Sequence, residues 1–167
     1  MTLVDERTMA APAHVCFRVA ADVEIWPQIL PHYRWTRFHH KDGFGTGRIE
    51  MSAWRDFAGP LRYPTWWVSD MHVNDAEPAI YFTHVDGITT RMHVKWSFLE
   101  RSRTATEVRI THAWNGPRWP IIGRFAWEHV IGPHFVSVIA QRTLAGIAAE
   151  AERRVRNTSS SQETQHA

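Results

Sequence analysis

Between Tyr33 and Trp114, short turn signals cut the chain into alternating segments, and this spacing limits the fold more than any other feature. Asp42-Gly43, Ala58-Gly59-Pro60, Asn74 to Pro78, Asp86-Gly87 and Arg101 to Thr104 all carry turn chemistry. Strands are predicted between them at Tyr33 to His40, Arg48 to Phe57, Arg62 to Val73, Ile80 to Val85, Thr89 to Leu99 and Thr106 to Trp114. Parallel strands need long crossovers, so connections this short imply an antiparallel meander. The Thr89 to Leu99 segment is the clearest: Met92, Val94, Trp96 and Phe98 alternate with Arg91, His93, Lys95 and Ser97. Thr2 to Met9 reads as a further strand at an edge.

Helical signals flank the meander. Pro12 suits the first turn of a short helix over Ala13 to Ala20, and Asp22 can cap a second through Ile25, Trp26, Ile29 and Leu30, stopped at Pro31. The run from Pro120 to Arg154 is the only stretch with room for a helix of many turns. Along it Val136, Ile139, Ala140, Thr143, Ile147 and Ala151 recur at helical spacing. Gly132-Pro133 predicts a kink. Gly146, a poor helix former on the apolar stripe, fits either a lid across a curved sheet or a close packing contact. The fold class is therefore α+β: a curved antiparallel sheet of seven strands, two short helices after the first strand, and a long C-terminal helix. One domain over residues 1–155 is expected, with 156–167 as a disordered polar tail.

Composition narrows the function. A net charge of +2 without a basic cluster argues against nucleic acid. No apolar run is long enough for a membrane span, and the charged N-terminus does not read as a secretion signal. The single cysteine, Cys16, fits a reducing compartment and a cytoplasmic location. The glycines of Gly43-Phe44-Gly45-Thr46-Gly47 precede strand-like residues, not a helix, so a turn is expected there and no phosphate loop. The eleven histidines show no metal-ligand spacing; no metal and no cofactor are assigned. Nine tryptophans suit a hollow, aromatic-walled domain better than a solid core.

In this order of elements the chain resembles the helix-grip superfamily of START lipid-transfer domains, birch-pollen allergen-like proteins and polyketide cyclase/dehydrases. The echo of bacterial aromatase/cyclases lies in Ala11-Pro12, in residues 21–33 (ADVEIWPQILPHY), in 65–69 (TWWVS) and in 92–114 (MHVKWSFLERSRTATEVRITHAW). The resemblance implies a pocket between sheet and long helix, and a pocket arginine that steers aldol closure of a poly-β-ketone carried by an acyl carrier protein. Arg62 stands within one residue of where that arginine is expected.

The residues themselves offer candidates. Arg55 shares a strand face with Ile49, Met51 and Ala53, where a guanidinium can stabilise an enolate or hold a carboxylate. His112 alternates with Val108, Ile110 and Trp114 and can move a proton near neutrality. Arg55, Arg62 and His112 are the catalytic candidates. Trp26, Tyr33, Met51, Trp67, Met92, Trp96, Trp114, Phe135, Ile139 and Thr143 are the expected ligand walls. Two functions stay open: a cyclase that closes and dehydrates a polyketide ring, and a non-enzymatic lipid or quinone carrier. An inward arginine converging with His112 or Tyr33 favours the first.

Overall fold

The computed structural model describes residues 2–56, 62–115 and 136–164. Strand β1 (Thr2–Met9) is followed by helix α1 (Ala13–Ala21), a single 3₁₀ turn (Val23–Ile25) and the short helix α2 (Trp26–Ile29). Six strands come next: β2 (Tyr33–Gly43), β3 (Thr46–Asp56), β4 (Arg62–Asn74), β5 (Ala79–Gly87), β6 (His93–Ser102) and β7 (Ala105–Ala113). The long helix α3 spans Ser137–Thr164.

All seven strands form one antiparallel sheet in the order β1-β7-β6-β5-β4-β3-β2. The meander expected from the turns is therefore present, with β1 added at the far edge beside β7. Register shifts at Tyr33/Trp35, Phe38/His40 and Lys41/Gly43 interrupt the β2–β3 ladder. Such irregularities bend and twist a strand, which helps a sheet curl. The glycine-rich stretch is the β2–β3 turn, as predicted. Gly45 sits at φ 62°, and a Cβ there would lie 2.9 Å from the Ala21 carbonyl oxygen.

Two local expectations differ. The β6 strand begins at His93, because Thr89 to Met92 form a turn in which the Met92 amide donates to the Thr89 carbonyl at 3.0 Å. Arg91 takes up the reversal at φ 71°, a conformation uncommon for a residue with a Cβ. Asp22 stands at the N-cap of the 3₁₀ turn but makes no side-chain cap there; its amide donates to the Arg18 carbonyl and closes α1.

The core lies between the concave face of the sheet and the helices. From β3 come Ile49, Met51 and Ala53; from β7, Val108 and Ile110; from α3, Ala140, Leu144, Ile147 and Ala151. Burying each large aliphatic side chain is worth about 1.5–3 kcal/mol, so α3 is held over Ala140 to Ala151. Gly146 is the close-packing contact: a Cβ there would meet Leu30 Cδ2 at 2.2 Å and the Ile29 carbonyl oxygen at 3.3 Å. The approach is to the end of α2 rather than to a strand. The predicted kink at Gly132-Pro133 lies outside the described residues.

The tail is a correction for residues 156–164. Instead of ending near Val155, α3 continues through Thr164. The hydroxyls of Thr158, Ser159 and Ser160 donate to the carbonyls of Arg154, Val155 and Arg156, so the polar run is accommodated on the helix itself. Among the described residues, no helix is long and apolar enough to cross a membrane.

Candidate functional site

Between the sheet and α3 lies a cavity of about 80 Å³. One water needs roughly 10–15 Å³ on the same measure, so the space suits several waters or one small ring. Its aromatic wall is Trp26, Tyr33, Trp67, Phe82 and Trp96. Trp26 is the hub, with ring centroids 5.0 Å from Tyr33, 5.8 Å from Trp96 and 6.5 Å from Phe82. Its buried Nε1 has no hydrogen-bond partner among the described residues. Met51, Met92, Ile139 and Ala140 complete the apolar lining.

Polar groups enter from several strands. Arg55 follows the inward alternation of β3 and is only 7% exposed. Its Nε donates to Thr65 Oγ1 on β4 at 2.8 Å. Burial pulls the guanidinium down to about 9, which leaves it cationic at neutral pH; Tyr33 acts in the opposite direction. Burial likewise pushes the Tyr33 phenol up to about 12, against the hydrogen bond with Thr143 and the charge of Arg55. Tyr33 therefore stays a proton donor. The Thr143 hydroxyl donates to the Ile139 carbonyl at 2.8 Å, leaving its oxygen to accept from His32 Nε2 at 3.0 Å.

Two histidines face the same cavity. His112 comes from β7, and its Nδ1 is buried without a hydrogen-bond partner among the described residues. Burial pulls it down to about 4, while the Asp5 carboxylate acts to raise it. His84 on β5 stacks on Trp67, with centroids 5.9 Å apart and planes 10° apart, and its Nδ1 lies 2.6 Å from Thr89 Oγ1. Burial first, then the charges of His112, Arg55 and His93, hold it down to about 3. Both imidazoles are neutral at pH 7.

The cavity gathers most of the residues expected from the sequence. Arg55, His112, Trp26, Tyr33, Met51, Trp67, Met92, Trp96, Ile139 and Thr143 all line it. Arg62 does not: it is exposed, opposite Asp56 at the start of β4. Thr65, Trp67 and Ser69 take the inward positions of that strand, and Arg62 is one residue out of that register, on the other face. Trp114 is buried but lies outside the lining. It follows the end of β7, and its indole donates to the Thr90 carbonyl at 3.0 Å, tying down the β5–β6 turn. Phe135 lies outside the described residues.

His84 and Thr89 were not anticipated. His84 carried a usable signal, since it alternates with Ile80 and Phe82 just as His112 alternates with Val108 and Ile110. Thr89 had none, because a turn residue has no periodic face. Among the described residues, no group of three His, Cys, Asp or Glu side chains could hold a metal.

The same architecture recurs in solved structures. The chain is similar to the Zhui aromatase/cyclase from Streptomyces sp. R1128, with 21% identity over 93% of this chain and 95% of that one, at a TM-score of 0.76. It is also similar to the protein TTHA0849 from Thermus thermophilus, with 19% identity, 92% and 99% coverage and a TM-score of 0.74. A START superfamily protein from Mycobacterium smegmatis matches at 18% identity, 94% and 98% coverage and a TM-score of 0.64. At these identities the likeness shows the helix-grip fold. A search of curated proteins gives no match. The family model described as "Polyketide cyclase / dehydrase and lipid transport" matches residues 9–130, which contain the two short helices, strands β2 to β7 and every strand-borne residue of the cavity. With that match over most of its length, this hydrophobic-ligand-binding helix-grip chain belongs to the polyketide cyclase/dehydrase and lipid transport family.

Proposed function

We propose that the protein is a cyclase that closes a ring in a poly-β-ketone and dehydrates it. The observation that carries this reading is the buried Arg55 guanidinium lining one cavity with the Tyr33 phenol and the neutral His112 imidazole. A carrier needs apolar walls and at most one orienting group. A cation, a proton donor and a proton acceptor converging on a ring-sized space suit the steps of an aldol reaction.

In this reading only the reacting segment enters the cavity. His112 takes a proton from a methylene between two ketones, and the electron pair delocalises as an enolate. Arg55 stabilises the enolate oxygen by charge and hydrogen bonding where water is scarce. The enolate carbon then bonds to a carbonyl carbon brought near by the aromatic wall; Tyr33 hydrogen-bonds the resulting alkoxide, which takes back the proton held by His112 and becomes a hydroxyl. Loss of that hydroxyl and a neighbouring hydrogen as water gives the unsaturated ring. Electrons balance without an oxidant or reductant. Delivery of the substrate on an acyl carrier protein belongs to the same reading, as does a cytoplasmic location.

The test is native mass spectrometry of the purified protein with denaturing extraction, followed by turnover of a soluble poly-β-ketone thioester. Ring-closed, dehydrated product formed faster with wild type than with Arg55→Ala supports the cyclase. A co-purified phospholipid or quinone with no turnover overturns it in favour of a carrier.

A further inference from the structure

Asp5 is only 4% exposed on β1, an unusual place for a carboxylate. A buried carboxylate is costly unless its oxygens are satisfied. One oxygen is: Oδ1 accepts from Ser137 Oγ and, at 3.0 Å, from Gln141 Nε2, both on the first turns of α3. The other, Oδ2, is buried with no hydrogen-bond partner among the described residues.

A second orphan lies beside it. In the β1–β7 ladder Asp5 stands opposite Ile110, and Leu3 stands opposite His112. Opposed residues of an antiparallel pair share a face, so Asp5 and His112 are diagonal neighbours on the cavity side of the sheet. His112 Nδ1 is buried and likewise lacks a partner among the described residues. One group is an obligate acceptor when ionised, and the other can donate in one tautomer. His112 itself lines the cavity.

We propose that Asp5 is a positioning residue for His112: its Oδ2 accepts from His112 Nδ1–H, directly or through one water, and so leaves Nε2 as the bare acceptor for a substrate proton. This rests on the reading of His112 as the proton-moving group. The arrangement works as in any carboxylate–imidazole pair, fixing the tautomer and stabilising the imidazolium that forms during transfer. The other titratable groups that share the cavity with His112 are His84 from β5, Arg55 from β3 and Tyr33 from β2. His84 is neutral and Arg55 cationic at pH 7, so Asp5 is the group whose charge raises the proton affinity of His112. Because the same carboxylate anchors α3 through Ser137 and Gln141, docking of the helix and orientation of the imidazole are linked.

The experiment is nitrogen-15 and carbon-13 NMR of histidine-labelled protein, with His112 assigned from its absence in His112→Gln. Wild type is expected to hold His112 with the proton on Nδ1. Asp5→Asn keeps the shape and an acceptor for the helix contacts; it is expected to lower the pH at which His112 titrates and to disturb the tautomer. Gln141→Ala weakens the helix anchor and leaves the carboxylate in place; it is expected to lower the melting temperature without changing the His112 signals. A His112 tautomer and titration unchanged in Asp5→Asn overturn the proposal, and so does a Gln141→Ala variant that shifts them as much. These readouts need no turnover, so an inactive wild type would count against the cyclase and not against this pairing. Where turnover is seen, Asp5→Asn is expected to lower kcat roughly tenfold or more with KM retained.

Discussion

Arg55 and Thr65 meet across the β3–β4 ladder, where the guanidinium Nε donates to Thr65 Oγ1 at 2.8 Å. The Thr65 hydroxyl in turn donates to the Ala53 carbonyl at 3.2 Å. With its one proton committed to the strand, Thr65 presents only an acceptor to the arginine. The relay aims a cation into the cavity from a strand rather than from a loop.

Removing the cation should separate chemistry from binding. Arg55→Ala is expected to lower turnover roughly 100- to 1,000-fold while an aromatic probe still quenches tryptophan fluorescence. Arg55→Lys keeps the charge but loses the planar fork and should recover only part of the rate. Thr65→Val leaves the buried Nε–H without this acceptor, at a cost of about 1–3 kcal/mol in stability. Steady-state kinetics and thermal melts of the three variants check these outcomes.

Acidification should destabilise the fold in a defined window. His112 titrates at about 4 and His84 at about 3 in the fold, each down from 6.5. Below 6.5 the unfolded chain takes up protons that the folded chain excludes. Stability is thus fully present above pH 6.5 and is lost as pH falls through about 4 and then about 3. The double variant His84→Gln/His112→Gln should flatten this part of the profile, as read by urea midpoints from pH 7 to 4. Turnover, which in the proposed mechanism needs neutral His112 and cationic Arg55, should hold a plateau that falls at high pH near 9, where Arg55 deprotonates.

The contact at Gly146 should resist even one methyl. A Cβ there lies 2.2 Å from Leu30 Cδ2, so Leu30 must move while the Ile29 carbonyl stays close at 3.3 Å. Gly146→Ala gains about 1 kcal/mol of helix propensity, but overpacking costs about 1–3 kcal/mol. A lower melting temperature is expected, and Gly146→Ala should cost less in a Leu30→Ala background than in wild type, the two positions coupling in a double-mutant cycle.

Filling the cavity should abolish binding without harming the fold. Ala140 is 4% exposed and lines the cavity from α3. Ala140→Leu places apolar atoms in the empty space, so the melting temperature should hold or rise. Affinity for a phenol-sized aromatic probe, read by tryptophan fluorescence, should fall at least about tenfold, the equivalent of 1.4 kcal/mol.

The chain by itself determined the seven strands, the antiparallel meander of β2 to β7 and the apolar stripe of α3. Those features rest on local periodicity and on turns that allow one kind of neighbour. It also placed Arg55 and His112 on inward faces, because alternation within a strand is a two-residue rule that operates before any tertiary contact. Only the tertiary structure decided the rest. Arg62 fell outside because Thr65, Trp67 and Ser69 turned inward and left it on the opposite face of β4; alternation separates the two faces of a strand, but only packing against α3 decides which of them is the cavity side. Trp114 became a turn fastener because its indole met the Thr90 carbonyl, a contact between elements 24 residues apart. Asp5 and His112 share no sequence signal. Their adjacency exists because β1 closes on β7, and pairing at that distance is the product of the whole sheet.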